Sequence, residues 1–415
     1  MNVATRTRRA RPQSFSVKPG IAERLGLPYM DGALFFAAIS LVALSVFVLD
    51  QTTGKDVPGD PGYFSDRQTI YAVLGIAGMY LLARVDYSRF RELRVGIYTF
   101  LCVSISLVFF FGFAARGSRR AFDLPFFSFQ PSELGKVLLV LALAGFVIDG
   151  ARRGSPRQRT VRYLCLGLAP AVLVFLQPDL GTSLVFGAIT LAVMYVGGVR
   201  WTHFAVIGAA LAVLIALVLV VAPAAHLPLL KGYQQERLTS FLDPSADPGD
   251  AGYQQNQAKT AIGAGEMSGR GDRATQTRLD FVPERHTDFI FAVIGERYGF
   301  MGAALVLSLY ALLIWRALRI VTLSKNSYGM LVAGGIAAML LFQVFVNVGM
   351  NLGIMPITGI PLPLMSYGGS SVLATFLAVG VLQSVHMQAR LSQKGRLAWS
   401  PRTTRPGDAY LTELS

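Results

Sequence analysis

Apolar positions along the chain gather into runs of about 20 residues, the length that crosses ~30 Å of hydrocarbon. Ten such segments stand at about 31–50, 68–84, 95–114, 132–149, 161–176, 180–197, 202–222, 288–315, 328–353 and 363–387. They predict an all-α polytopic membrane protein with about ten transmembrane helices. The fifth and sixth are separated only by "QPDLG", so a broken or re-entrant element is the alternative there. One connection stands out: residues 223–287 form a large extracytoplasmic loop between spans 7 and 8. A connection that long is usually functional or disordered. Its "AIGAGEMSGRG" run reads as flexible and turn-rich.

Charge orients the spans. Ten crossings put both termini on one side. The segments on that side (1–30, 84–94, 150–162, around Arg200, 316–325 and 388–415) hold 24 of the 38 Lys and Arg residues. By the positive-inside rule that side is cytoplasmic. The expected division is a basic cytoplasmic tail over 1–30, a membrane domain over 31–390 and a cytoplasmic tail over 391–415. Both termini are then expected to be cytoplasmic.

Composition agrees. Hydrophobic residues make up 53% of the chain and charged residues only 15%, against about a quarter charged in soluble domains. The net charge of +14 is read as loops facing anionic lipid, not as nucleic-acid binding. No cleavable signal peptide is visible, since the first apolar run starts at Ala33 and is span-length. Cys102 and Cys165 both lie in apolar runs and exclude a thiolate metal site.

Four stretches carry chemistry. In "FQPSELGKVLLVLAL", Pro131 and Glu133 suit a helix start. Lys136 lies three residues on, on the same face. An ammonium within a span costs a few kcal/mol unless paired or solvated, so a Glu133–Lys136 pair facing a polar cavity is expected. In "QPDLGTS", Asp179 is either a helix cap or a further acid of that cavity. In "PERHTDFIF", Thr287 or Asp288 is placed to cap a helix starting at Phe289. In "MPITGIPLPLMSYGGSSVLA", three prolines in eight residues forbid regular helix, and Ser366, Gly368 and Gly369 follow inside an apolar segment. Irregular backbone at membrane depth is found buried in protein or lining a water-filled cavity. Arg116, Arg119 and Arg120 lie on the outer side, against the charge rule. Either they are solvated loop charge or they meet an anion such as a diphosphate.

In order and spacing these stretches resemble the SEDS family, polytopic glycosyltransferases of bacterial cell-wall synthesis. The resemblance covers about residues 30–390 and favours the elongation branch over the division branch. Ala121 departs from it, standing where a tryptophan commonly follows the arginine. What the resemblance implies is peptidoglycan polymerisation from lipid II. The 4-hydroxyl of one disaccharide attacks the anomeric carbon of an undecaprenyl-diphosphate-linked glycan, and undecaprenyl diphosphate leaves. The family's essential acid falls on Asp288, implied as general base. Lys136 and Arg120 are the cations implied for the diphosphate, helped by a divalent ion, Mg or Mn. Glu133, Asp179 and Asp280 would hold that ion or orient the cations. Ser366, Gly368 and Gly369 belong to a segment implied to wall the sugar or polyprenyl cavity. The implied partners are a class B penicillin-binding protein and other elongation-complex proteins. A lipid II flippase, the division-type polymerase and a membrane scaffold are the competing readings.

Overall fold

The computed structural model describes residues 29–399, apart from 55, 116–117, 124–127, 152–153, 218–250, 279–280 and 282–283. Ten long helices occupy the ten apolar runs. They are α1 (Gly32–Thr53), α2 (Tyr63–Arg84), α3 (Arg94–Phe111), α4 (Pro131–Gly150), α5 (Pro156–Leu176), α6 (Leu180–Val196), α7 (Trp201–Ala216), α8 (Ile290–Leu323), α9 (Ser327–Asn351) and α10 (Gly369–Trp399). Seven of them are long and apolar enough to cross a membrane by that measure alone. The ambiguous pair at 161–197 resolves into two helices, α5 and α6, packed along each other.

Local chemistry sets many of the helix starts. Asp31 caps α1 by accepting from Leu34 N at 3.0 Å. Ser155 and Gln158 form a reciprocal capping box on α5. Asn326 accepts from Gly329 N at 2.8 Å to start α9. The core runs through α4, α9 and α10, which are buried along most of their length, whereas α3 is mostly exposed. In a membrane that outward apolar face is the lipid-facing side.

Several boundaries differ from the sequence expectation. The eighth helix runs on to Leu323, eight residues past the apolar run. The tenth begins at Gly369, not 363, because 356–368 is irregular as the prolines require, and it continues to Trp399, beyond the expected domain end at 390. The tail over 1–28 and the residues after 399 lie outside the described residues. A small three-stranded antiparallel sheet, Phe113–Ala115, Ser118–Asp123 and Ser128–Phe129, fills the connection between α3 and α4.

The long loop is not loose where it is described. Its helix Ala251–Ala264 packs on α8. The "AIGAGEMSGRG" stretch then locks onto a kink in α8 at Gly299, whose φ of 64° and ψ of −161° break the helical ladder. The N–H groups stranded by that break find the loop: Phe300 N donates to Glu266 O at 2.8 Å and Met301 N to Met267 O at 3.2 Å. A β-carbon at Gly299 would sit 2.4 Å from Gly269 N, so glycine is required on both counts. The expected flexible segment is therefore a packed splint.

Candidate active site

The starts of α2, α4, α6, α8 and α10 lie at one end of the bundle, around a cavity of 790 Å³. Tyr63, Arg67 and Tyr71 come from α2, Gln130 and Glu133 from the start of α4, Asp179 and Thr182 from the start of α6. Thr287 and Asp288 precede α8, and Tyr367 to Ser371 lead into α10. Each helix N-terminus carries roughly half a positive charge. Several aimed at one cavity favour an anion there.

Asp288 lies on the cavity wall but does not hold the helix's cap position. That position is Phe289, and the first helical residue is Ile290, one later than expected. Thr287 does not cap either: its hydroxyl lies 3.0 Å from Glu284 Oε2. The Asp288 carboxylate faces Gly359, where an added β-carbon would lie 3.5 Å from Oδ2. The polypeptide is strongly braced just before it: Arg285 is ion-paired with Asp56, and Tyr367 N donates to His286 O at 2.8 Å.

Asp179 is both things that the sequence allowed. It caps α6, accepting from Thr182 N at 3.0 Å, and it lines the cavity, where its second oxygen accepts from Gln130 Nε2 at 3.1 Å. Glu133 and Lys136 form the expected pair, with Nζ 2.8 Å from both carboxylate oxygens and each side chain 4% exposed. Only Glu133 reaches the cavity wall, however; Lys136 sits behind it, almost a helical turn deeper.

Gly368 and Gly369 both line the cavity, and they differ. A β-carbon on Gly368 would meet only Ser371 Cβ at 3.9 Å, whereas one on Gly369 would come within 3.1 Å of the Tyr71 ring. Ser366 is not a wall residue. It is 1% exposed, and its hydroxyl accepts from Leu362 N at 2.8 Å and donates to Thr287 O, so it ties the irregular segment to the entry of α8. Arg120 lies on the strand Ser118–Asp123, but its side chain lies outside the described residues, as does Asp280 altogether.

Sequence reasoning missed Arg67. It is the one Lys or Arg among the described residues of the cavity wall, with its guanidinium 4.2 Å from the Tyr63 ring centroid. Its signal was present: a cation immediately before the threshold of an apolar run, at the outer end. Beside it Gln68 is fully buried and joins three elements, donating to Ser45 Oγ at 3.0 Å and Ser366 O at 3.2 Å.

The model of the FtsW/RodA/SpoVE family, described as cell cycle proteins, matches residues 31–391. The chain is 34% identical to the peptidoglycan glycosyltransferase MrdB of Escherichia coli over 367 residues, 88% of this chain and 96% of that protein. It is 36% identical to the stage V sporulation protein E of Bacillus subtilis, over 80% of this chain and 89% of the other. A solved chain from a peptidoglycan synthase complex that coordinates polymerization and crosslinking superposes with a TM-score of 0.72. It shares 34% identity and covers 87% of this chain and 98% of that one. The crystal structure of the rod shape determining protein RodA of Thermus thermophilus gives 0.62 at 30% identity, covering 87% of this chain and 97% of that one.

Proposed function

The chain belongs to the FtsW/RodA/SpoVE family, and from that premise we propose that the 790 Å³ cavity is where it polymerises lipid II, with Asp288 as general base. The chain is a peptidoglycan glycosyltransferase and a multi-pass membrane protein, closer to the elongation type than to the division type. The observation that carries the site assignment is the position of Asp288: on the cavity wall, beside the cap position and not in it.

The chemistry follows from the parts. The attacking sugar presents its 4-hydroxyl to Asp288, which takes the proton as the oxygen bonds to the anomeric carbon. The bond from that carbon to the diphosphate oxygen breaks, and undecaprenyl diphosphate departs with the electron pair. Negative charge grows on the diphosphate, which the converging helix starts and Arg67 are placed to stabilise. Lys136 acts through Glu133, keeping that carboxylate paired at the wall.

The lining is compatible with a divalent cation, Mg or Mn, in one mode. No group of three His, Cys, Asp or Glu side chains suited to a metal occurs among the described residues. Magnesium, however, is usually held by one or two carboxylates together with substrate phosphates. Asp179 is the wall carboxylate that would hold it alongside the diphosphate, leaving Asp288 to take the proton. Bound there, it would neutralise charge on the leaving group.

The cavity end is the extracytoplasmic end, because the basic connections 84–94 and 150–162 lie at the other end of the bundle. Both termini are then cytoplasmic. A crosslinking transpeptidase of the class B penicillin-binding type fits as partner, since the similar solved chain works in a complex that couples polymerization to crosslinking. The test is polymerisation of supplied lipid II by the purified full-length chain in detergent, with and without Mg or Mn. Glycan from the wild type and a rate lower by roughly 10²-fold or more from Asp288→Asn supports the reading. Near wild-type rates from both sink it.

A further inference from the structure

Helix α8 begins without a side-chain cap of its own. Exposed N–H groups at such a start need partners. One comes from another helix: Asn351 Oδ1 accepts from Ala292 N at 3.2 Å, sharing that N–H with Phe289 O at 3.0 Å. Asn351 is the last residue of α9, and Asn347 lies one turn before it on the same face; both are fully buried. Their amide nitrogens converge on one backbone atom. Asn347 Nδ2 donates to Asp288 O at 3.0 Å, and Asn351 Nδ2 donates to the same oxygen at 3.2 Å. Asn347 Nδ2 also donates to Ile360 O at 2.8 Å. Ile360 follows Gly359, the residue that lies against the Asp288 carboxylate.

Two buried amides inside a membrane protein are costly unless each atom has a partner. Here Asn351 Nδ2 also donates to Asn347 O at 2.9 Å within α9, and the remaining amide bonds go to the backbone of the acid and to the backbone on its far side. Asn351 moreover performs the capping that an acid at this place would ordinarily perform.

We infer that Asn347 and Asn351 are positioning residues for Asp288: they cap α8 from outside and clamp the Asp288 backbone, so that its carboxylate is committed to the cavity. The inference rests on the reading of Asp288 as base. Neither asparagine lies on the cavity wall, so both act on rate through the acid and not through substrate affinity.

The experiment uses the purified full-length chain with lipid II and compares Asn347→Leu, Asn351→Asp, Asp288→Asn and the double variant Asp288→Asn with Asn347→Leu. Asn347→Leu removes the donors at similar size. Asn351→Asp keeps the acceptor for Ala292 N and loses the donor to Asp288 O. Misplacing a reacting group by about 1 Å can cost 10²-fold. The expected result is kcat lower by about 10- to 100-fold, with KM for lipid II within about threefold of wild type. The double variant should be no slower than Asp288→Asn alone, because a clamp on an acid that is gone has nothing left to position. Wild-type kcat in both asparagine variants overturns the inference. So does an equal further loss in the Asp288→Asn background, the signature of a general structural role. If Asn347→Leu does not fold, Asn351→Asp, alone and combined with Asp288→Asn, decides by the same criteria. Asp288→Asn at wild-type rate is a separate outcome: it removes the base reading, and the inference with it.

Discussion

The two ends of the helix bundle each bury ionised side chains, and they use them differently. At the cavity end Glu133 holds Lys136 through both oxygens, yet stands on the wall of a 790 Å³ space beside Asp179, Asp288 and Arg67. At the opposite end Asp31 is saturated. Arg316 Nε donates to its two oxygens at 3.0 and 2.9 Å, Leu34 N to one of them at 3.0 Å, and Gln383 brackets its backbone at 2.7 and 2.9 Å. That knot joins the start of α1 to the last third of α8 and the middle of α10. The same residue types therefore make a joint at one end and a reactive space at the other. What separates them is whether the carboxylates border open space: Glu133, Asp179 and Asp288 line the cavity, and Asp31 does not.

The largest effect tests the open end. Asp288→Asn should lower polymerisation by roughly 10²–10⁴-fold, the usual worth of general base catalysis. The melting midpoint should barely move, since Phe289 holds the cap position. A stability loss as large as the rate loss would make Asp288 another joint.

Arg316→Leu probes the closed end. It strands the Asp31 carboxylate, and removing one partner of a buried pair costs about 3–5 kcal/mol. Thermal unfolding should show that loss, while folded protein at low temperature keeps its kcat. A rate collapse with an unchanged midpoint would contradict the contrast.

Lys136→Ala should reduce activity severalfold or more, by leaving Glu133 unpaired on the wall. The double change Glu133→Ala with Lys136→Ala is the control. Recovery of activity in the double variant identifies Lys136 as a neutraliser of Glu133, whereas continued loss means that the cation itself is needed by the substrate.

The two glycines separate space from packing at about the 1 kcal/mol level of a glycine-to-alanine change. Gly369→Ala meets the Tyr71 ring and should lower midpoint and activity together. Gly368→Ala fits the protein, so its midpoint should hold or rise while polymerisation falls, because its methyl occupies the cavity. Full activity in both would remove this segment from the site.

Much of this was legible because membrane helices announce themselves by length and charge. All ten helices fall on the apolar runs, and the Glu133–Lys136 pair follows from spacing and the cost of a lone ammonium. The misses have physical causes. The strands between Phe113 and Phe129 are two to six residues long, too short for a period to show. Ser366 read as a wall residue because its hydroxyl bonds, to backbone 79 residues away and four residues away, cannot be seen in a linear chain. Arg67 was passed over because a charge at a helix start looks solvated until the opposing helices are in place. The glycine-rich stretch of the loop was misread most plainly: glycine permits mobility, but here it permits backbone-to-backbone contact with α8.

The convergence of α2, α4, α6, α8 and α10 on one cavity carries a rule of parity. Each crossing reverses both the side of the membrane and the sign of the helix end presented there. Inserting or deleting a single span anywhere before Ile290 would carry Asp288 to the other face and turn the electropositive ends away from it. Upstream of this acid the chain can therefore gain or lose helices only as hairpins, two at a time.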